Sequence, residues 1–383
     1  MRLLSLFSGG GIGESRLDQI GIKAIGANEI VQERCEFYSL LNPKTEIFNL
    51  DISKPENFNK ILSFGLKSNI DIISATPPCQ GMSIAGKMDK FDERNHLIYF
   101  AIEMIKAIKP KFVFLENVPR QLQTFINHED ENLKIPDYVY KELNKDYFFN
   151  KQKLIKAMNY DIPQMRQRNI MLLSRKDQNY IWEFPNPSEK IINLKEALYH
   201  LPSLDPILKE GMEETLKLFP DFLNKKNKSE KISKWHTPPT HSKKHVLIMQ
   251  KTPTGMTAFD NLIFYPKKDN GTRVSGHYNH YRRLSWDKPS RSLTQNNGVI
   301  SSLACVHPGR ILKKGDEKER IFSDPRCFSI EELFIISSIN FQNKIPINTK
   351  HSLIRKLIGE GIPPLLVEKI FLELIKNINH NIL

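Results

Sequence analysis

"SLFSGGGIGESRL", residues 5–17, decides how this chain is read. A strand-like run over 2–7 meets Gly9, Gly10, Gly11 and Gly13, and a helical pattern follows over 13–20. Glycine has no Cβ, so a turn built from it lets a ligand approach the backbone closely. Outward from this stretch, strands and helices alternate. Residues 22–28 read as a second strand ending at Glu29, and 31–41 as a helix. Residues 46–48 form a short strand ending near Asp51, and "DIISAT", 71–76, is the fourth strand. A helix over 95–108 stops before Lys109-Pro110, and "KFVFLEN", 111–117, is the fifth strand. "FFNKQKLIKAM" and "RNIMLLSR" look like further strands. The alternation predicts an α/β fold: an open, mainly parallel sheet with helices on both faces.

In such sheets ligands bind outside the carboxyl ends of the strands. A glycine turn after strand one, Glu29 after strand two and Asp51 after strand three suit an adenosyl ligand, with carboxylates for ribose hydroxyls and an adenine amine. NAD(P) and S-adenosylmethionine both fit. At the same ends stand Cys79, after "ISATPP", and Glu116, closing strand five. Neighbouring strands lie roughly 5 Å apart, so thiol and carboxyl face one cleft. A thiolate adding to carbon 6 of cytosine makes carbon 5 nucleophilic toward a methyl group, and a proton near ring nitrogen 3 eases the addition. Taken singly, Cys79 is a packed thiol and Glu116 a loop acid. Pro77-Pro78 argue against the first, because they rigidify a loop rather than continue a core strand.

The chain has 383 residues, enough for two domains, and its 40% hydrophobic content builds a proper core. No apolar run reaches membrane length, and "MRLLSLF" is cut off by glycines with no cleavage site, so the expected location is cytoplasmic. Cys35, Cys305 and Cys327 read as buried filler without disulfides. The net charge is +13, and residues 186–310 carry 20 Lys and Arg against 11 Asp and Glu. That excess points to a polyanion, although a solvated lysine-rich surface explains it equally well. The expected division is 1–185 as catalytic domain, 186–325 as a loop-rich second domain, and 326–383 as helices returning to the first. Ser329 with Glu332 forms a capping box for a helix, and Pro363-Pro364 open a last amphipathic helix to about Asn377.

"FSGGGIG", "PPCQG", "ENV" (116–118), "QMRQR" (164–168) and a late "GEGIPP" together resemble the cytosine-5 DNA methyltransferases, chiefly the bacterial modification enzymes. The resemblance covers about 1–175 and 280–370. It implies a Rossmann-like S-adenosylmethionine-dependent methyltransferase fold with a mixed sheet, plus a smaller target recognition domain. It implies that Phe7, Gly9 and Gly11 shape the cofactor pocket, with Glu29 on the ribose, Asp51 and Ile52 at the adenine, and Pro78 and Leu97 alongside. Cys79 is then the nucleophile, Glu116 meets ring nitrogen 3, Arg168 the cytosine carbonyl, and Arg166 holds the loop or a phosphate. Gln80, Ser83, Asn117, Gln164 and Ser292 fall in substrate-contacting positions. The partner implied is duplex DNA, bound as a monomer, with a companion restriction endonuclease.

Two departures stand out. "SIEELFIISSINF" replaces a "PRExxRLQGFP" stretch, and Glu360 replaces an asparagine, where an acid could pair with the cofactor's ammonium. In the middle domain Lys243, Lys244, Lys267, Lys268 and Arg273 suit phosphates. His236, His241 and His245 invite a zinc reading, but their spacing is loose and a basic loop explains them better, so no metal is expected. "HYNHY", 277–281, offers aromatics for stacking or for ordinary packing. Amino-group methylation would want an aromatic where Cys79 stands. A tRNA methyltransferase on the same motifs, a dinucleotide-dependent oxidoreductase and a catalytically dead DNA-binding relative remain as rivals.

Overall fold

The computed structural model of the chain describes residues 1–78, 96–129, 131–151, 153–303 and 305–380. They divide into two units: 1–156 with 167–187 and 363–383, and 157–166 with 188–362.

The first unit is built on one sheet. Its strands are β1 (Arg2–Leu6), β2 (Lys23–Asn28), β3 (Glu46–Phe48), β4 (Ile72–Ala75) and β5 (Phe112–Asn117). A separate hairpin, β6 (Phe125–His128) with β7 (Glu131–Lys134), precedes β8 (Tyr147–Phe149), β9 (Leu154–Lys156) and β10 (Gln167–Arg175). The order is β3-β2-β1-β4-β5-β10-β8, with β9 also on β10. β1 to β5 run parallel, whereas β10 is antiparallel to β5, so the sheet is mixed.

Side chains alternate across a strand, and both faces are covered. Leu4, Leu6, Ile73, Val113 and Leu115 share a core with Ile61, Ile102 and Tyr138. These come from α2 (Pro55–Lys67), α3 (Leu97–Ile108) and α4 (Ile135–Leu143). The opposite face carries Ser5, Ser74, Phe112 and Phe114. There Phe112 and Phe114 pack on Trp182, and Phe114 and Trp182 on Phe371. Phe371 belongs to α11 (Pro364–His380), the helix that Pro363-Pro364 announce. Tyr38, from α1 (Gln32–Leu41), covers the same face beside Ser5.

Three elements differ from expectation. The helix predicted over 13–20 shrinks to one 3-10 turn, Leu17–Ile20, because Gly9 and Gly11 hold positive φ angles and Glu14 turns inward to Ser5. "FFNKQKLIKAM" yields two short strands, β8 and β9, rather than one. α2 is an addition, announced by Pro55 at its first position, Glu56 in its first turn and Lys67 in its last.

The second unit holds α5 (Leu194–Leu198), α6 (Met212–Leu218), α7 (Phe222–Ile232), α8 (Lys243–Lys251), α9 (Ile330–Ile336) and α10 (His351–Glu360). Its strands are short: β11 (Ile207–Leu208) with β12 (Thr240–His241), and β13 (Ile311–Lys313) with β14 (Ile321–Phe322). It is more helical than expected. α7 lacks an apolar stripe, yet Phe222 anchors it in a cluster with Leu208, Phe219 and Val246. The Lys226–Glu230 pair at 3.4 Å and the Lys225–Asp205 pair at 2.8 Å hold its polar face. The Ser329–Glu332 capping box opens α9 as expected. Glu332 also receives both terminal nitrogens of the buried Arg326, at 2.7 and 2.9 Å, and Asp324 takes the guanidinium's other side at 2.7 Å. Burial pushes both carboxyls up, but the guanidinium holds Glu332 at about 2, and His307 together with the guanidinium holds Asp324 below the usual carboxylate range.

Candidate active site

β1 ends in Phe7, a non-glycine residue at φ +56°. Such a residue marks local strain. Thr76, just past β4, donates to the Phe7 carbonyl at 2.8 Å and ties the two strand ends together. The two key glycines serve different ends. A Cβ on Gly9 would meet nothing within 4 Å, so this backbone lies open to a ligand. A Cβ on Gly11 would stand 2.6 Å from the Tyr38 ring, so this glycine makes room for the protein's own side chain. Gly11→Ala is therefore expected to cost about 2 kcal/mol or more from strain plus clash, and Gly9→Ala only about 1 kcal/mol from strain. Urea unfolding of the two variants reads the difference; equal losses would sink the distinction.

Glu29 is buried at the end of β2. One carboxylate oxygen accepts the Gly9 N–H at 3.0 Å and the other the Val31 N–H at 2.9 Å. Each oxygen can accept a second bond, so Glu29 shapes the glycine loop and still has capacity for a hydroxyl. Asp51 follows β3 and accepts the Ser53 N–H and hydroxyl at 3.0 and 2.7 Å. Ile52 is buried, and Pro78 and Leu97 are half-buried. Of these residues, Glu29 and Gly9 are joined directly, and Asp51 and Pro78 follow the ends of β3 and β4.

The chemical end lies one and two strands further along. Ile170 of β10 is the register partner of Glu116, and Arg168 sits two residues away on the same face. The Arg168 Nε stands 2.6 Å from the Glu116 carboxylate, and both side chains are about nine-tenths buried. A near-dry ion pair of this kind is strong and geometrically fixed. Asn117 is buried and braces the turn: its amide donates to the Pro77 carbonyl at 3.0 Å and accepts the Val118 N–H at 2.8 Å. The expected substrate contact at Asn117 therefore meets an amide already engaged by the backbone. Behind it, Asn169 donates to Gln121 at 2.8 Å, and both are buried. Cys79, Gln80 and Ser83 lie outside the described residues.

Other expected site residues belong to the second unit. Arg166 is buried and donates to the carbonyls of Leu293, Gly359 and Glu360 at 3.0, 2.9 and 2.8 Å. That geometry makes it a strut between backbone segments. Gln164 is buried and donates to the Ile336 carbonyl and Ser337 hydroxyl at 3.4 and 3.3 Å. Ser292 is exposed and bonds to the Met165 carbonyl at 3.4 Å. Glu360 is half-buried at the end of α10.

Among the expected phosphate-binding cations, Lys243 pairs with Glu214 and Lys244 with Asp269, while Lys267 and Arg273 both stack on Tyr265. His236 bonds to the Ser329 hydroxyl and Pro202 carbonyl, and His241 accepts the Cys327 N–H. Burial pushes His241 down to about 3. Among the described residues no cluster of His, Cys, Asp and Glu is placed to hold a metal. Cys35, Cys305 and Cys327 are buried free thiols.

The sequence reading missed Glu14. Its carboxyl receives the Ser5 hydroxyl at 2.5 Å and the Tyr38 hydroxyl. The available signal was an acid in the glycine turn, five residues after Gly9, with a serine as the penultimate residue of both β1 and β4.

Fold and site define a Rossmann-like α/β enzyme with a cofactor loop and an ion pair at one set of strand ends. The whole architecture aligns with a putative DNA modification methyltransferase encoded within an E. coli prophage, at TM-score 0.66, 20% identity and 99% coverage of each chain. In sequence, the chain is 36% identical to the Type II methyltransferase M1.HgaI of Avibacterium volantium over 376 residues, 97% of both. It is 29% identical to M1.HphI of Haemophilus parahaemolyticus over 206 residues, 53% of each. The model for C-5 cytosine-specific DNA methylases matches residues 1–376, and the chain belongs to that family. Its substrate is accordingly DNA, and its reaction methyl transfer to carbon 5 of cytosine. Among the described residues no helix is long and apolar enough to cross a membrane.

Proposed function

We propose that this chain methylates one cytosine within a specific duplex sequence, through a covalent bond between Cys79 and carbon 6 of a base turned out of the helix. The base must leave the stack because its reacting atoms are inaccessible inside a duplex. When bound, S-adenosylmethionine supplies an electrophilic methyl group. Phe7, Gly9, Gly11, Glu29, Asp51, Ile52, Pro78 and Leu97 hold it, with Glu360 toward its ammonium. The Cys79 thiolate attacks carbon 6, Glu116 meets ring nitrogen 3 and the exocyclic amine, and Arg168 steadies both Glu116 and the cytosine carbonyl. Carbon 5 takes the methyl group, loses its proton to a base, and the thiolate leaves. Asn117 holds the backbone at Pro77, and Arg166 and Gln164 hold backbone that frames the substrate. Gln80 would contact the flipped base, and Ser83 and Ser292 would each meet a phosphate.

The observation that carries this reading is the 2.6 Å Glu116–Arg168 pair at the end of the strand beside the one that delivers Cys79. Residues 188–325 of the second unit would read the flanking sequence. The protein would work as a monomer on DNA in the bacterial cytoplasm, beside a restriction endonuclease of matching specificity, as a Type II modification enzyme. Bisulfite sequencing of DNA from cells expressing the chain is expected to reveal protected cytosines in one sequence context. Unprotected genomic DNA, or methyl groups found only in tRNA, would overturn the proposal.

A further inference from the structure

Most of the cations expected at phosphates are already engaged, Lys243 and Lys244 by acids and Lys267 and Arg273 by the Tyr265 ring. A cavity of about 170 Å³ in the second unit differs. Arg282, Arg283, Lys288 and Arg291 line it beside Met165 and Ser285, and no described acid does. Pockets that enclose a whole small ligand run to roughly 300–1,000 Å³, so this one suits a single group carried by a larger molecule. Its wall is pinned backbone. The Met165 N–H donates to the Ser290 carbonyl at 2.7 Å, the Ser290 N–H to the Pro163 carbonyl at 2.8 Å, and the Lys288 carbonyl accepts the Leu194 N–H at 3.0 Å.

The four cations do different work. Arg283 is fully buried and gives its donors to the carbonyls of Met249, His307, Ser323 and Asp324, so it is a strut. Arg282 donates from Nη2 to the Gly255 carbonyl at 2.7 Å, and its guanidinium lies 4.3 Å from the centre of the Tyr278 ring. That stacking gives "HYNHY" a packing role and fixes the arginine in place. The Arg282 Nη1 is buried with no hydrogen-bond partner. Leaving such a donor unmade is costly, and an anionic oxygen would remove the cost. Lys288 and Arg291 are exposed, and neither they nor Arg282 pair with a carboxylate of a described residue.

We propose that this cavity receives one backbone phosphate of the DNA duplex, with Arg282 as its fixed donor and Lys288 and Arg291 as its exposed cations. The proposal rests on the duplex substrate proposed above and adds a site to it: Ser292, the phosphate contact already named, does not line this cavity. A phosphodiester brings charge and acceptor oxygens to a place that offers only donors. Such a contact carries no sequence information but sets the register of the protein on the duplex.

Salt titration of DNA binding tests this in the full chain carrying Lys288→Ala and Arg291→Ala together. The slope of log affinity against log salt falls by about 0.9 for each phosphate no longer neutralised. The double variant is expected to lose about 0.9, equally on duplexes of any sequence, because both cations serve one phosphate. Its melting temperature should hold, since neither side chain is buried or paired. Uncharged methylphosphonates placed one at a time along the duplex should weaken the wild type at one position that no longer matters to the double variant. An unchanged slope, a loss of about 1.8 as from two separate phosphates, or a methylphosphonate profile identical in the two proteins would each overturn the proposal. A wild type that binds no duplex DNA would remove the substrate reading itself, and this proposal with it.

Discussion

Cys79→Ser is expected to lower methyl transfer by about 10³-fold or more while leaving DNA and cofactor affinity nearly intact. A serine hydroxyl is almost wholly protonated at neutral pH, whereas a free thiol is already a few per cent ionised and intrinsically more nucleophilic. Losing the nucleophile removes an interaction made only on the path to the transition state, so kcat falls and binding does not. The complementary result uses duplex DNA carrying 5-fluorocytosine at the target. Fluorine at carbon 5 blocks the final elimination, so the wild type is expected to remain attached through denaturing electrophoresis and the serine variant to run free. Near-normal turnover by the serine variant, or a stable adduct formed without Cys79, would end the covalent account.

The second large effect concerns the Glu116–Arg168 pair. Glu116→Ala is expected to reduce kcat by about 10²–10⁴-fold, the usual worth of a positioned acid–base group. Arg168→Ala leaves a nearly buried carboxylate without its cation, which is expected to cost stability as well as rate. The double variant should lose much less than the product of the two single losses, because the residues share one interaction. Rate measurements and urea unfolding on the three variants check this. Fully additive losses would mean that the 2.6 Å contact has no energetic consequence.

Much of the sheet was legible because its strands are short apolar runs bounded by glycine, proline or acid. β1, β2, β4 and β5 fall within a residue or two of where the sequence placed them. The antiparallel direction of β10 was not legible from the residues alone, since direction depends on the path of the chain and not on local pattern. It is that direction which brings Arg168 beside Glu116. The helix expected after Gly13 failed because Glu14 finds Ser5 and Tyr38 inside rather than solvent outside, a tertiary preference that periodicity does not encode. α7 was missed for the opposite reason: a polar helix carried by one buried Phe222 and its ion pairs shows no hydrophobic stripe. The family motifs located Glu116, Arg168 and Glu29, but the brace formed by Asn117 and the strut formed by Arg166 appear only once backbone carbonyls have positions.

The last helix has a consequence for how the protein comes off the ribosome. Phe371 packs on Phe114 and Trp182, and Glu368 pairs with Arg16 at 2.6 Å. Translation reaches these residues only after the long segment 188–362 has been made. Phe114 and Trp182 therefore wait without the cover of Phe371 through nearly half of synthesis, and a nascent chain that carries every strand of the sheet still lacks it. Activity should therefore appear only once synthesis has passed Phe371.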